Sequence, residues 1–242
     1  MKKRIDVLLM ERNLAETRSR AQALILSGLV FIEGKRVDKA GMMFEEDSNI
    51  RVNKRMPYVS RGAYKLKEAY EKFDLDFKDK IVVDVGSSTG GFTDFAILKG
   101  ARKVFAIDVG KGQLAEKLRK DLRVEVMEET DFRSVEKLGK VDFFVVDVSF
   151  ISLKKIIPKI AALRSEGSQA VLLIKPQFEV GKKEASRGKG IIKNETLREN
   201  VINEIIDFAR ALDFEILGIT TSPIKGAKGN IEYLLWLNCS QK

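Results

Sequence analysis

The sequence predicts an α/β protein in which a Rossmann-like, mostly parallel doubly wound sheet follows a small α+β module. Two observations predict this class: apolar runs alternate with amphipathic segments after residue 80, and a glycine-rich turn follows the first run. The predicted strands are 81–85, 103–107, 124–127, 141–147, 170–174, 214–219 and 231–237. The predicted helices are 91–99, 111–120, 152–163 and 195–212. The 242 residues suit domains at 1–58, linker included, and 59–242.

The composition restricts which residue types can act as catalytic groups or metal ligands. The sequence contains no histidine and one cysteine, Cys239, which argues against intrachain disulfides, a thiolate metal cluster and a histidine base. We therefore expect a metal-free reaction that uses Lys, Asp, Glu, Ser or Tyr. No apolar stretch approaches the roughly 18 residues of a membrane span, and the first six residues lack a signal-peptide apolar region. The expectation is a soluble cytoplasmic protein without membrane contact.

The net charge is +9 at pH 7, which favours a polyanionic partner. Many soluble basic proteins bind no polyanion, so charge alone carries little weight. Two basic loops contain glycine, at 181–190 with Lys182 and Lys189, and at 225–229. These loops could hold RNA phosphates or be plain solvated connections.

A glycine-rich turn at 82–93 joins an apolar run to a predicted helix. Its small residues let the backbone approach a ligand, and the following helix start offers free N–H groups. Ser88 replaces the second glycine of a dinucleotide fingerprint, and no P-loop lysine follows Gly91. The turn instead resembles the first motif of S-adenosylmethionine (SAM)-dependent methyltransferases, although a plain tight turn is the alternative. The candidate cofactor residues here are Asp84, Gly86, Ser88, Thr89, Gly90, Gly91 and Phe92.

Acidic residues follow the next two strands. Asp108 comes 24 residues after Asp84, near the offset of about 20 at which a ribose-binding acid follows such a turn. A solvated turn residue is the alternative. Asp131 could accept a hydrogen bond from the adenine amino group, but Glu128 and Glu129 compete for this role. Ligands of such sheets bind beyond the carboxyl ends of the strands, where we expect these acids to meet.

The first sixty residues predict a different module. A short helix, a turn, a second helix ending at Gly28 and strands around Glu33-Gly34 follow one another. Residues 3–52 resemble the S4 RNA-binding domain. The resemblance implies that the second helix and the hairpin loop face RNA phosphates. This suits double-stranded RNA, which proteins recognise mostly by its shape and backbone because its base edges are hard to reach. The candidate RNA-binding residues outside the basic loops are Arg4, Arg18, Arg20, Lys35, Arg36 and Arg61.

A four-residue pattern runs through the second domain. Lys65 lies at the edge of an apolar helix stripe, Asp147 and Lys175 follow strands, and Glu232 comes near the last strand. Taken by itself, Lys65 would be expected to pack its aliphatic chain along the core and keep its ammonium group in solvent. Together, Lys, Asp, Lys and Glu resemble the tetrad of FtsJ-type RNA ribose 2′-O-methyltransferases. With the S4-like module and Ser-Arg-Gly-Ala-Tyr-Lys-Leu at 60–66, nearly the whole chain resembles the TlyA family, historically named haemolysin A.

The resemblance implies SAM-dependent 2′-O-methylation of cytidine in small- or large-subunit rRNA, within ribosomal subunits or assembly intermediates. Lys175 could act as the base if burial makes it neutral, and Asp147 would orient Lys175 or the sulfonium, so Asp147 is also a cofactor candidate. Lys65 and Glu232 would position the ribose and tune Lys175. FtsJ-type turns often have proline where this chain has Thr89, a difference that affects cofactor contacts and leaves the tetrad intact.

Other functions fit the sequence less well. Base-amino methyltransferases usually carry Asn or Asp-Pro-Pro-Tyr or Phe where this chain has Asp-Val-Ser-Phe at 147–150, and carbon-5 enzymes need a cysteine nucleophile. A pseudouridine synthase would not need the SAM-type turn. A noncatalytic RNA-binding or assembly factor that retains the fold is the main alternative. A pore-forming haemolysin is less favoured, because no amphipathic membrane stretch is evident.

Overall fold

The computed structural model describes residues 1–53, 56–181 and 190–238. The chain divides into two compact units, Met1–Pro57 and Tyr58–Lys242. Our sequence boundary assigns Tyr58 to the first domain. In the structure its ring packs against those of Tyr64 and Phe95 in the second unit, with centroids 5.2 and 5.8 Å away.

The first unit is an α+β module. Its elements are β1 (Lys2–Arg4), α1 (Ile5–Glu11), α2 (Arg18–Leu26), β2 (Val30–Ile32), β3 (Lys35–Arg36), β4 (Met43–Glu45) and β5 (Ile50–Val52). The strands pair antiparallel in the orders β3-β2-β5 and β1-β4. Thr17 caps α2 by accepting a hydrogen bond from the Arg20 backbone N–H. The predicted hairpin is confirmed, because Glu33 and Gly34 both have the positive φ that its tight turn requires.

The second unit is built on one sheet. Its strands are β6 (Ile81–Val85), β7 (Lys103–Ile107), β8 (Val124–Met127), β9 (Phe143–Val146), β10 (Gln169–Ile174), β11 (Glu215–Thr221) and β12 (Tyr233–Asn238). They lie in the order β11-β12-β10-β9-β6-β7-β8. Strands β6 to β10 pair in parallel, whereas β12 runs antiparallel to β10 and β11. The seven predicted strands and the mostly parallel sheet are confirmed.

Helices cover both faces of this sheet. They are α3 (Ala63–Lys72), α4 (Gly91–Leu98), α5 (Glu116–Arg119), α6 (Ile157–Leu163), α7 (Pro176–Glu179) and α8 (Glu195–Arg210). Leu66 of α3 and Phe95 of α4 pack in one apolar cluster, and Ile160 of α6 and Ile205 of α8 pack in the other. Burial on both faces explains why the central strands β6, β7, β9 and β10 are almost continuous apolar runs, whereas the edge strand β11 alternates exposed and half-buried residues. Within the described residues, no helix has the length and apolar composition needed to cross a membrane.

Two helix predictions were too long. The segment predicted as helix 111–120 is helical only in α5, and Gly112 has a left-handed φ of +66°, outside the α-helical region. The Glu128 carboxylate accepts hydrogen bonds from the backbone N–H groups of Gly112, Gln113 and Leu114. These bonds hold the segment as a loop. The helix predicted at 152–163 splits into a 3-10 turn and α6, where Pro158 lies in the first turn and lacks a backbone N–H.

Candidate active site

Strand ends bring the predicted polar residues to one edge of the sheet. Asp84 is the penultimate residue of β6, and Asp108, Asp147 and Lys175 directly follow β7, β9 and β10. Since parallel strands end at the same edge, these side chains converge. Glu232 reaches this edge differently, because it directly precedes β12, and the antiparallel β12 begins where β10 ends.

The glycines of the turn allow close contact between segments of the chain. Gly86 has φ +82°, and a Cβ there would lie 2.8 Å from the Asp147 carbonyl oxygen. Gly90 has φ +92° and precedes α4. A Cβ at Gly91 would lie 2.9 Å from the Ala63 backbone nitrogen. From the sequence we expected these glycines to admit a ligand, and Gly86 and Gly91 do line a cavity at this edge, while an added Cβ at either would also meet atoms of the protein itself.

Asp84 is fully buried, and one of its two carboxylate oxygens accepts hydrogen bonds. Its Oδ2 accepts hydrogen bonds from the Thr93 backbone N–H at 2.9 Å and the Thr93 hydroxyl at 2.6 Å. Its Oδ1 has no hydrogen-bond partner among the described residues. Burial raises the pKa of Asp84 to about 7, although the Thr93 bonds oppose this shift. A buried acceptor without a partner at the edge of a cavity is a place where a ligand cation or donor would be stabilised.

Asp108 joins the glycine turn to the loop after β7. Its Oδ2 accepts from the Ser88 backbone N–H at 2.8 Å, and its Oδ1 accepts from the Gly110 N–H at 2.7 Å. Each carboxylate oxygen can accept a second hydrogen bond. Asp108 therefore holds the turn and still has acceptor capacity toward the cavity that it lines.

The structure separates the three acids that competed for the adenine position. Glu128 is bound to three backbone N–H groups and to Arg119, and its hydrogen bond with Arg119 lowers its pKa to about 2. Glu129 pairs with Lys111 at 3.0 Å. Asp131 is the one of the three that lines the cavity, where a hydrogen bond from Arg133 lowers its pKa.

Two adjoining cavities lie at this edge. The first, of about 470 Å³, is largely apolar, and Asp108 and Asp131 are among its polar lining residues. The second, of about 710 Å³, contains the polar groups of the glycine turn together with Lys65, Lys175 and Arg61. The residues that line both are Gly86, Ser88, Asp147 and Ser149. An elongated ligand with one flat apolar end and one charged end would fit across them.

Lys65, Asp147, Lys175 and Glu232 form a continuous chain of ion pairs. The Lys65 Nζ lies 2.8 Å from Glu232 Oε2 and 3.4 Å from Asp147 Oδ2. The Lys175 Nζ lies 2.5 Å from Asp147 Oδ1. Only 2% of the Glu232 side chain is exposed, and Lys175 is buried as well. The structure thus brings together the four residues that the sequence placed on separate elements.

Three residues near this chain were not predicted from the sequence: Ser149 and Gln177, which contact it, and Phe150, which packs on Phe178. The Ser149 hydroxyl lies 2.8 Å from the Lys175 Nζ, and the Gln177 amide donates to Glu232 Oε1 at 3.3 Å. Phe150 is 91% exposed, has φ +64° and stacks obliquely on Phe178 at 5.0 Å. Their positions two or three residues after Asp147 or Lys175 were the available signal, but nothing local in the sequence gives their orientation.

The RNA-binding candidates fall into three groups. In the first unit all of them are exposed, and Arg36 pairs with Asp38 at 2.8 Å. In the second unit, Arg61 lines the polar cavity together with residues of the 225–229 loop. Lys182 and Lys189 lie outside the described residues.

Comparison with known proteins agrees with this geometry. The model of the FtsJ-like methyltransferase family matches residues 58–239, and that of the S4 domain matches residues 3–55. The YqxC protein of Bacillus subtilis is 45% identical over 98% of this chain and 86% of its own. The Mycobacterium tuberculosis protein named 16S/23S rRNA (cytidine-2′-O)-methyltransferase TlyA is 39% identical over 97% of this chain and 89% of its own.

A solved structure of a Streptococcus thermophilus protein that carries the hemolysin name is 40% identical. It superposes with a TM-score of 0.77 over 100% of this chain and 90% of its own. The family matches, the relatives and the mostly parallel sheet agree with one another. The chain therefore belongs to the TlyA family of FtsJ-like methyltransferases that carry an N-terminal S4 domain.

Proposed function

We propose that this protein transfers a methyl group from SAM to the ribose 2′-oxygen of a cytidine in ribosomal RNA, in the small subunit, the large subunit or both. The observation that carries the proposal is the buried ion-pair chain of Lys65, Asp147, Lys175 and Glu232 beside a two-part cavity. Cytidine is proposed because the 39% identical Mycobacterium tuberculosis relative is named as a cytidine-2′-O-methyltransferase.

The two cavities fit the two ends of SAM. The apolar slot suits adenine, with Asp131 near its amino group and Asp108 toward the ribose hydroxyls. The buried Asp84 Oδ1 suits the methionine ammonium, which would supply the missing hydrogen-bond donor. Bound there, SAM supplies an electrophilic methyl group on a sulfonium. The glycine turn supports the site by fixing its backbone against Asp147.

Lys175 is the proposed general base. A ribose hydroxyl is a poor nucleophile, so it must be held in line and must lose its proton as the new bond forms. Asp147 holds the Lys175 side chain in place at 2.5 Å, and Ser149 holds it at 2.8 Å. Held in this way, the Lys175 Nζ is the atom that would take the hydroxyl proton. Lys65, held by Glu232, supplies a second positive charge near the ribose.

The first unit is the proposed source of RNA affinity. It exposes Arg18, Arg20, Lys35 and Arg36, and such groups bind phosphates without reading base edges. Arg61 and Lys225 line the polar cavity, where the target nucleotide would enter. Backbone recognition of this kind suits a folded RNA, so we propose ribosomal subunits or their assembly intermediates as the substrate.

Labelled SAM and undermodified ribosomal subunits test the proposal directly. After incubation, the rRNA is digested and its nucleosides are identified by mass spectrometry. We expect the label in 2′-O-methylcytidine. A label on a base contradicts the chemistry, and RNA binding without any methyl transfer would instead indicate a noncatalytic assembly factor.

A further inference from the structure

The first unit contains a buried carboxylate shared by two arginines. Asp6, in α1, is fully buried. Arg4 donates to it through two nitrogens, to Oδ1 at 3.0 Å and to Oδ2 at 2.9 Å. Arg18 donates its Nε to Oδ2 at 3.0 Å, and Gln22 donates to the same oxygen at 3.2 Å. The two guanidinium groups are therefore neighbours, joined through one oxygen.

Both arginines extend from this carboxylate into solvent. The side chains of Arg4 and Arg18 are 43% and 53% exposed. Arg18 gives Asp6 only its Nε, and its two terminal nitrogens make no hydrogen bond to any residue in the described part of the chain. Two adjacent guanidinium groups would repel each other, and the single negative charge of Asp6 offsets that repulsion. The hydrogen bond from Arg4 keeps the pKa of Asp6 well below its usual range.

We propose that Asp6 is a positioning residue that holds Arg4 and Arg18 as one joint site for a backbone phosphate of the RNA substrate. The inference rests on the proposed function. A guanidinium is a planar fork that matches phosphate oxygens, and fixing it beforehand reduces the entropy lost on binding. The cluster keeps a net charge of +1, with its free donors on the exposed side.

This role opposes the simple electrostatic expectation. Asp6→Asn removes a negative charge, so charge alone predicts tighter RNA binding and a steeper dependence on salt. If Asp6 positions the arginines, the same substitution weakens binding although the protein becomes more basic. The two hypotheses therefore predict opposite changes in RNA affinity for Asp6→Asn.

The experiment measures binding of undermodified ribosomal subunits by the full-length chain at several salt concentrations. Asp6→Asn should weaken binding about tenfold, the equivalent of ~1.4 kcal/mol, and lower the salt slope by about one for each phosphate that the protein ceases to neutralise. The matched control is Asp38→Asn, which makes the same charge change beside Arg36 in an exposed pair of the same unit. Asp38→Asn should bind no more weakly than wild type.

Two further variants separate positioning from a purely structural role. In an Arg4→Ala/Arg18→Ala chain, Asp6→Asn should cause no additional loss of RNA affinity, whereas a general effect on folding would persist. If Asp6→Asn does not fold, Arg18→Lys is the substitute. It keeps the charge but lacks the fork, and it should weaken binding more than Arg20→Lys on the same helix.

The outcomes are distinguishable. Wild-type methylation of rRNA together with unchanged or tighter binding by Asp6→Asn overturns this inference and leaves the proposed function intact. Equal effects of Arg18→Lys and Arg20→Lys also overturn it. Failure of the wild-type chain to bind or methylate rRNA overturns both.

Discussion

The Lys65 ammonium lies 2.8 Å from Glu232 Oε2, although 167 residues separate them in the sequence. Glu232 is 2% exposed, and the other described hydrogen-bond partner of its carboxylate is the neutral amide of Gln177. Asp147, in contrast, contacts both Lys65 and Lys175. Among the described residues, Lys65 is thus the ion-pair partner of Glu232. Lys65 therefore matters more than Lys175 for compensating the buried charge of Glu232.

Lys65→Ala should lower the free energy of unfolding by ~3 kcal/mol, because it leaves the buried Glu232 charge without its cation. Adding Glu232→Gln should recover part of the loss. Urea unfolding, followed by the fluorescence of Trp236, measures the free energy of unfolding of the second unit. Trp236 is the only tryptophan in the sequence. A double variant no more stable than Lys65→Ala would contradict the assignment.

Lys175→Ala should abolish methyl transfer while leaving SAM and RNA binding measurable. Lys175→Arg should also be inactive, because a guanidinium keeps the charge but does not readily accept a proton. Single-turnover methylation of ribosomal subunits is the measurement. The control is Lys154→Ala, which breaks an exposed pair with Glu204 and should leave turnover unchanged. Near wild-type turnover by Lys175→Arg would make Lys175 an electrostatic positioner.

Gly86→Ala should lose SAM binding, because the new Cβ would press against the Asp147 carbonyl at a residue with φ +82°. Gly167→Ala is the matched control, since Gly167 has φ +74° but no heavy atom within 4 Å of an added Cβ. The control should cost ~1 kcal/mol from the backbone alone. Calorimetric SAM binding and thermal unfolding compare the two. Equal loss of SAM binding in both variants would show that close packing against Asp147 is unimportant.

Asp84 should make stability depend on pH. Its folded pKa of about 7 lies above the ordinary value of 3.8, so the folded state binds more protons between these values. Stability should therefore fall as pH rises through this window and level off above about pH 7. Relative to Asp84→Asn, wild type should lose ~1.4 kcal/mol per pH unit between about pH 5 and 6.5. Urea unfolding at several pH values tests this, and a parallel pH dependence of the two proteins would count against it.

Removing residues 1–57 should weaken RNA binding and methylation but leave SAM affinity largely unchanged, since the cofactor-site candidates lie in the second unit. A chain that starts one residue later lacks Tyr58 and should melt at a lower temperature, because the rings of Tyr64 and Phe95 then have no Tyr58 ring to pack against. Isothermal calorimetry, subunit binding and thermal melting provide the comparison. Undiminished methylation by the truncated chain would contradict the RNA-binding role of the first unit.

The sequence alone determined the elements whose signal is local. Apolar runs located the strands, and in the central strands β6, β7, β9 and β10 these runs are almost continuous because both faces are buried. The glycine turn and the acids after strands located the edge of the sheet where the candidate site lies. The tetrad came from a family resemblance, because no periodic pattern joins Lys65 to Glu232.

Tertiary structure decided what depends on distant partners. Glu128 accepts hydrogen bonds from the N–H groups of residues 112 to 114, which form a loop instead of the first turn of a helix, and helix periodicity could not predict this contact. The antiparallel direction of β12 brings Glu232 to Lys65, and the enclosure of Asp84 raises its pKa. Hydrophobic periodicity records only which face of an element is buried. Hydrogen bonds, ion pairs and desolvation depend on groups that the fold brings together from far along the chain.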